Sequence, residues 1–407
     1  MKKRIITAAF LAFIFGNKAN AQETKTDSSA YKKTKLKIEE VNFISSYYTQ
    51  DGNNSAVTGG VGTEKLTDVA TTLDIKVSRR DKKNRKQLYG FELGVDSYTS
   101  ASSDKIDPNT VTSASYQDVR VYPSLNFSSE NEEKRQIFSS GVSASAEYDY
   151  FSLGANLGYT KYSKNKNTEF NVKGMAFFDT WKVILPIELR NNPDPNYKQG
   201  DMKPRTSYNL GFTLSQVMNR NFQMAFLLDL GYQEGLLATK FNRVYFNDSP
   251  LNSALATVKS ENLPETRFKI PVGMRANYFI GDHFIVRAFY RYYWDNWNIN
   301  SHTISLEPTI KLSAFSSLSI PYRYYVQTEA KYFQPIYQHN LAEEFFTSDY
   351  DLSAFSSNMI GLGYKIVDHN KGLFNVKRIN SLELRYGYYN RNNGLSSHIV
   401  TLAMKFK

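Results

Sequence analysis

The sequence predicts a single-chain transmembrane antiparallel β-barrel of sixteen strands, all-β, with fourteen or eighteen strands as the alternatives. Three observations lead there. From about residue 36 onward the chain repeats segments of roughly ten alternating residues, each followed by a connection rich in Asn, Asp, Gly, Ser and Lys. The connections alternate in length, short after even-numbered segments (219–221, 281–283, 315–317) and long after most odd-numbered ones (49–66, 180–205, 233–265, 329–356). One face of the alternation is apolar and the other carries charge.

Taken in chain order, the first element is a leader. Lys2, Lys3 and Arg4 precede an apolar stretch at 5–15, and Ala19-Asn20-Ala21 offers a small-residue cleavage site, so 1–21 reads as a signal peptide. Residues 22–35 are polar and aperiodic and are expected to be a flexible periplasmic tail, with the barrel over 36–407. Segments at 36–48, 67–78, 88–99, 116–128, 136–148, 151–161, 169–179 and 206–218 form its first half. Segments at 222–232, 266–279, 284–294, 302–314, 318–328, 357–367, 378–389 and 397–407 form the second. Short turns on one side and long loops on the other follow if every segment crosses the membrane and the long loops are extracellular.

The faces decide between a membrane barrel and a soluble sandwich. Val69, Thr71, Leu73, Ile75 and Val77 share one face of the second segment; Phe222, Met224, Phe226, Leu228, Leu230 and Tyr232 share one face of the ninth; Val400, Leu402, Met404 and Phe406 close the chain. No Asp, Glu, Lys or Arg falls on this face in the central stretches. A Lys or Arg at the bilayer midplane of a barrel costs about 2–4 kcal/mol, which is the selection a lipid-facing surface undergoes. Tyr148, Tyr150, Tyr290, Tyr292, Trp294, Tyr386 and Tyr388 gather near segment ends, where rings with one polar edge sit at headgroup level.

Composition excludes several other classes. Beyond the first twenty residues no apolar run approaches the ~20 residues of a spanning helix. Aromatics at 14% of 407 residues exceed what a disordered chain carries. Mean hydropathy is −0.48, as expected of a polar lumen and long loops. The formal charge of +11 falls to +7 without Lys2, Lys3, Arg4 and Lys18, and no basic helix suggests a nucleic-acid partner. With no cysteine, the chain has neither disulfides nor a lipid-attachment residue.

Candidate chemistry is sparse. Asp51, Asn53 and Ser55 have the spacing that opens a calcium loop, but Ala56 stands where Gly is needed and Gly62 where Glu is needed, so turn formation competes with a cation. His283, His302, His339, His369 and His398 are scattered; His339 and Glu343 could share a loop face, and His398 lies beside Ser396 and Ser397, whose side chains alternate with it. No catalytic residue and no cofactor is expected. More informative is an asymmetry of inward charge. Asp74, Glu92, Asp96, Asp118, Glu147 and Asp149 lie on segments two to five and the turn that follows; Arg267, Lys269, Arg275, Arg287, Arg291, Lys311 and Arg323 lie on segments ten to thirteen. In a closed sixteen-strand wall these groups face each other, giving either a transverse field across an open lumen or charges that pair with inward-folded loops.

The run SYYTQDGNNSAVTGGVGTEKLTD at 46–68, with VYPSL at 121–125, AEYDY at 146–150 and DTWKVILPIELR at 179–190, resembles a Bacteroidota outer-membrane family catalogued as the domain of unknown function numbered thirty-five seventy. The resemblance extends over nearly the whole mature chain. It implies a β-barrel in the outer membrane of a Gram-negative bacterium and no established activity, and it hints at a place near flavin-attaching and thioredoxin-like proteins of the envelope. The expectation is therefore a conduit for polar solutes embedded in outer-membrane lipid and inserted by the barrel-assembly machinery. The alternatives are a non-conducting docking protein with a periplasmic or extracellular partner and, third, an enzyme at the rim. TonB-dependent uptake is disfavoured, since ~14 residues before the first strand are far short of a plug.

Overall fold

The computed structural model describes residues 33–99, 117–191, 197–249, 255–368, 372–373, 376 and 378–406. The leader and most of the tail, and with them the expected 1–21 and 22–35 division, lie outside these residues, as does His369. In the described chain each of the sixteen sequence segments becomes one stave of a closed antiparallel wall.

The first nine staves are β1 (Lys37–Asp51), β2 (Leu66–Arg80), β3 (Lys86–Thr99), β4 (Gln117–Asn131), β5 (Gln136–Ala146), β6 (Tyr150–Tyr162), β7 (Thr168–Lys182), β8 (Met202–Asn219) and β9 (Phe222–Gly235). A small hairpin, β10 (Arg243–Tyr245) and β11 (Val258–Ser260), sits in the long loop that follows and stays outside the wall. The wall resumes with β12 (Thr266–Ile280), β13 (Phe284–Asp295), β14 (Asn300–Lys311), β15 (Ser316–Ser319), β16 (Tyr322–Gln327), β17 (Phe355–Val367), β18 (Ile379–Arg391) and β19 (Ser396–Phe406). β15 and β16 together make the thirteenth stave, broken at Ile320 and Pro321; a proline donates nothing to a ladder, and the interrupted strand pairs with β14 and β17 on either side of it. Closure is made by β1 against β19, from Val41 opposite Phe406 to Asp51 opposite Ser396. The wall therefore has no free edge, as hydrocarbon requires of a β-structure.

Register confirms the faces. Tyr47 stands between Val69 and Val400, Phe43 between Leu73 and Met404, and Leu228 between Phe212 and Val272, all on the outer surface. Leu157 is 70% exposed and Leu125 57%, which only a lipid solvent makes reasonable. Among the described residues, charged side chains reach this face only at strand ends, as with Arg79, Lys161, Lys182 and Glu234. At one interface His302 accepts or donates a 2.9 Å hydrogen bond with Tyr290 and packs on Tyr292; His398 does the same with Tyr386 (2.8 Å) and Tyr388.

After odd staves three connections are short, 147–149, 296–299 and 392–395, and after even staves every connection is short except 368–378. On the opposite side, among the described residues, four long loops, 52–65, 183–201, 236–265 and 328–354, hold most of the fully buried side chains, among them Val183, Leu185, Val244, Phe246, His339 and Thr347. Among the described residues the buried apolar side chains gather at this end of the barrel, apart from Leu373 in the connection 368–378.

Candidate functional site

The inner face is lined by side chains that alternate with the lipid-facing ones, and it divides along the barrel axis. In the half nearer the short turns two ion networks line the wall. Lys76 Nζ lies 3.0 Å from Asp74 and 3.2 Å from Glu40, which also meets Lys405 Nζ at 2.5 Å, and Asn42 donates to Asp74 at 3.0 Å. Across the wall Glu307 accepts from Arg287 at 2.9 Å and from Arg385 at 3.2 Å, while Glu383 takes Arg385 Nε at 2.5 Å and lies 3.5 Å from Lys365. Arg385 reaches past the broken stave because Gly363 leaves the surface flat there: a Cβ on Gly363 would stand 2.5 Å from Ser319 Oγ and 3.3 Å from Arg385 Cγ.

The side chains of Lys76, Arg287, Lys365, Arg385 and Lys405 keep 38–46% of their surface exposed although the wall surrounds them. A recess of about 230 Å³ opens higher on the inner wall, lined by Glu92, Arg120, Tyr122, Tyr150 and Phe177 among others. Larger recesses of about 430 and 460 Å³ are shallow dents on the apolar face near Gly174, where a missing side chain leaves a gap between larger ones, and their lining is mostly apolar.

The residues singled out for the acidic wall all lie on or beside the inner face of β2 to β6. Asp74 belongs to the first network, Glu92 stands opposite it, and Asp96 accepts from Tyr122 Oη at 2.9 Å. Asp118, Glu147 and Asp149 converge where β4 begins and β5 turns into β6. On the basic wall Arg267 is bound to Asp295 (Nε 2.9 Å, Nη2 2.5 Å) and stacks 4.3 Å over Trp297. Arg287 is tied to Glu307, Arg323 points Nη2 at Met359 Sδ, 3.5 Å away, and Lys269, Arg275, Arg291 and Lys311 share the same face. Sequence reasoning missed Glu40, Asp179, Arg205, Asp295 and Arg391. Arg205, Asp295 and Arg391 sit at the outer ends of strands that extend beyond the apolar belt, in stretches that read as loop; Asp179 is the last residue of the seventh segment, and Glu40 follows a bulge between Ile38 and Glu40 that breaks the alternation.

The outer half is covered. The first loop leaves staves one and two; the β10–β11 loop leaves staves nine and ten, half a circumference away, yet they meet. Val57 packs on Ile184 and Phe241, and Arg243 donates to Val57 O at 2.8 Å while holding Glu188 at 2.5 Å. Gly59 and Gly60 take positive φ values of 81° and 87° and let Tyr245 and Tyr350 close against the turn, since a Cβ at either position would lie within 2.8 Å of those rings. The fourth long loop joins through the pairing of Phe246 with His339 and of Asn262 with Phe346. Loops rooted on opposite sides of the ring thus form one cap.

The cap rests on an inner collar. Trp297 packs with Ala238 and Leu263, Gln327 Nε2 donates to Asp351 O and Ser353 O, and Arg391 holds Asp351 at 2.5 Å. Burial raises the carboxyls of Glu64 and Glu261 above their ordinary range, and it raises Asp349 further, with the charges of Asp351 and Glu261 adding to the effect. His339 is fully buried, with Nδ1 2.6 Å from Glu343 Oε2 and Nε2 2.9 Å from Thr347 O, so it is a structural tie of the loop. The loop segment considered for a cation serves as a turn: Asp51 ends β1 facing Lys65 at 3.9 Å, Asn53 follows in the connection, and Ser55 O accepts from Gly60 N at 2.8 Å. His398 turns to lipid and Ser397 to the inside, so they form no dyad.

The model of a family described as "Protein of unknown function (DUF3570)" matches residues 6–399. No curated protein matches the chain. Among solved structures, a bacterial polysaccharide outer membrane secretin is similar over 90% of this chain and 98% of its own, at 10% identity and a TM-score of 0.44. Pseudomonas aeruginosa OccK2 (OpdF) is similar over 90% and 97%, at 7% identity and 0.41. A mutant of the P. aeruginosa ferric enterobactin receptor PfeA is similar over 86% of this chain and 53% of that one, at 9% identity and 0.45.

Proposed function

Because the chain belongs to the family described as Protein of unknown function (DUF3570), a description that assigns no activity, we propose a function from the interior of the barrel. The protein is an outer-membrane conduit for polar solutes, open toward the periplasm and restricted at the outer mouth by its loop cap. The observation that carries this reading is the exposure of inner-face Lys and Arg side chains at 38–46%. Charges kept wetted inside a sixteen-stave wall describe an aqueous lumen, and a wall of that size is wide enough to hold one.

A second reading, a non-conducting barrel that docks an extracellular or periplasmic partner, is favoured by one feature: loops from opposite staves meet over the mouth through Val57, Ile184 and Arg243. Planar-bilayer recording separates the two. The conduit reading expects discrete conductance steps from the purified protein, larger in Arg243→Ala, which loses the ties to Glu188 and Val57. A baseline trace from both proteins, each shown folded by heat-modifiable migration in a gel, overturns the conduit and leaves the docking barrel.

A further inference from the structure

We propose that Asp118, Glu147 and Asp149 form a binding site for a divalent cation of calcium's size at the outer rim of the wall. The three residues come from two places that the fold brings together, the start of β4 and the short connection between β5 and β6. One carboxylate oxygen of each lies within 4.8 Å of the others. A Ca²⁺ with oxygen ligands at about 2.3–2.6 Å spans such a separation, and a set made wholly of carboxylates suits a hard cation over a transition metal.

The proposal stands on a second observation. Asp118 is 7% exposed, its Oδ1 accepts from Val119 N at 2.7 Å, and its Oδ2 is buried with no hydrogen-bond partner among the described residues. A buried carboxyl oxygen left so is expensive, and buried polar atoms without partners are rare enough to require a cause. Asp149, 3% exposed, shares the enclosure.

The neighbouring cations do not complete the set. Arg120 Nε is 3.5 Å from Glu147 and 2.9 Å from Ser145 Oγ, and Lys182 Nζ turns to Tyr148, 3.1 Å from its Oη and 4.3 Å from its ring centroid. Tyr98 Oη donates to Glu147 at 2.5 Å and orients that carboxylate. A bound cation would receive Asp118 Oδ2, relieve the repulsion at Asp149, and pin the β5–β6 turn to β4.

Terbium(III), which takes calcium's oxygen ligands, is the probe. With the purified full chain in detergent, exciting Tyr98 and its neighbours should give saturable terbium luminescence that Ca²⁺ displaces, with half-saturation by Ca²⁺ no weaker than the ~10⁻³ M of extracellular modules. The Asp118→Asn, Asp149→Asn double variant should bind terbium at least tenfold more weakly, and Asp51→Asn should bind as the parent does. Equal binding by a folded double variant, or loss in Asp51→Asn alone, overturns the assignment. Should the double variant not fold, the parent decides: millimolar Ca²⁺ should raise its thermal midpoint, and no change, or an equal rise with Mg²⁺, counts against the site.

Discussion

Gly94 shows how the inner face of this wall is kept both packed and clear. The Tyr122 ring, directly opposite on β4, lies flat over it, so a Cβ at Gly94 would fall 2.0 Å from the ring. Phe177 covers Gly154 in the same way, 2.9 Å from where its Cβ would be. In each pair the absence of one side chain lets a large one lie along the wall instead of projecting into the lumen. Gly94→Ala should therefore destabilise the folded barrel by about 1–3 kcal/mol, the usual cost of forcing an extra carbon into an occupied space. The same change in a Tyr122→Ala background should cost far less, because nothing then occupies the site. A double-mutant cycle of urea unfolding in lipid vesicles measures the difference, and equal costs in both backgrounds would refute the pairing. Neither pair was legible in the sequence: a glycine in a strand announces a close approach but not its partner, which depends on register between strands 28 residues apart for Gly94 and Tyr122.

At the level of elements, the staves were readable and the loops were not, for a physical reason. Each stave faces lipid on one side and water on the other, so its alternation is a local property, and all sixteen segments appear in the wall with boundaries shifted by a few residues. Outer ends that run past the apolar belt, as in β8 from Met202, lose the contrast of faces and read as loop. The loops bury their side chains against other loops from distant staves, and no periodicity records that. Hence Val57, Ile184, Phe246 and His339 gave no sign of a shared cap. The cap's titration follows from its burial. Glu64, Glu261 and Asp349 are raised above the ordinary carboxylate range, so the folded cap holds more protons there than the opened loops do; its stability is complete below that range and declines as pH rises through the raised values. Glu188, held low by Arg243 against the pull of burial, acts oppositely, but only below the ordinary range. Arg391 on Asp351 and Lys240 near Glu261 temper the effect without reversing the direction of any of the three shifts. Limited proteolysis within 328–354 should therefore be slower at pH 5 than at pH 8, using a protease active at both. Faster cleavage at pH 5 would show that other groups govern the cap.

For the whole molecule, the question is what two unlike halves of one wall do to a solute between them. Seven bases on β12 to β16 stand half a circumference from six acids on β2 to β6, and the structure tempers each set with counter-charges: Asp295 and Glu307 among the bases, Lys76 and Arg120 among the acids. Arg275, Arg291 and Arg323 are exposed on the inner face and have no ion pair among the described residues, so the basic side keeps a local surplus in a confined space. A field across the lumen orients a dipolar solute and favours neither sign of small ion strongly. This is a proposal about the pathway, and it is testable through selectivity. In a tenfold KCl gradient the parent should show a reversal potential near zero. Arg275→Gln, Arg291→Gln, Arg323→Gln together should shift it toward cation selectivity, and Glu92→Gln, Asp96→Asn should shift it toward anions, with both shifts shrinking as salt rises to about 1 M, where the screening length is about 3 Å. Shifts of the same sign from the two variants, or none from either in a protein that conducts, would mean that ions pass where these residues do not reach, and the opposed walls would then be structural charge alone.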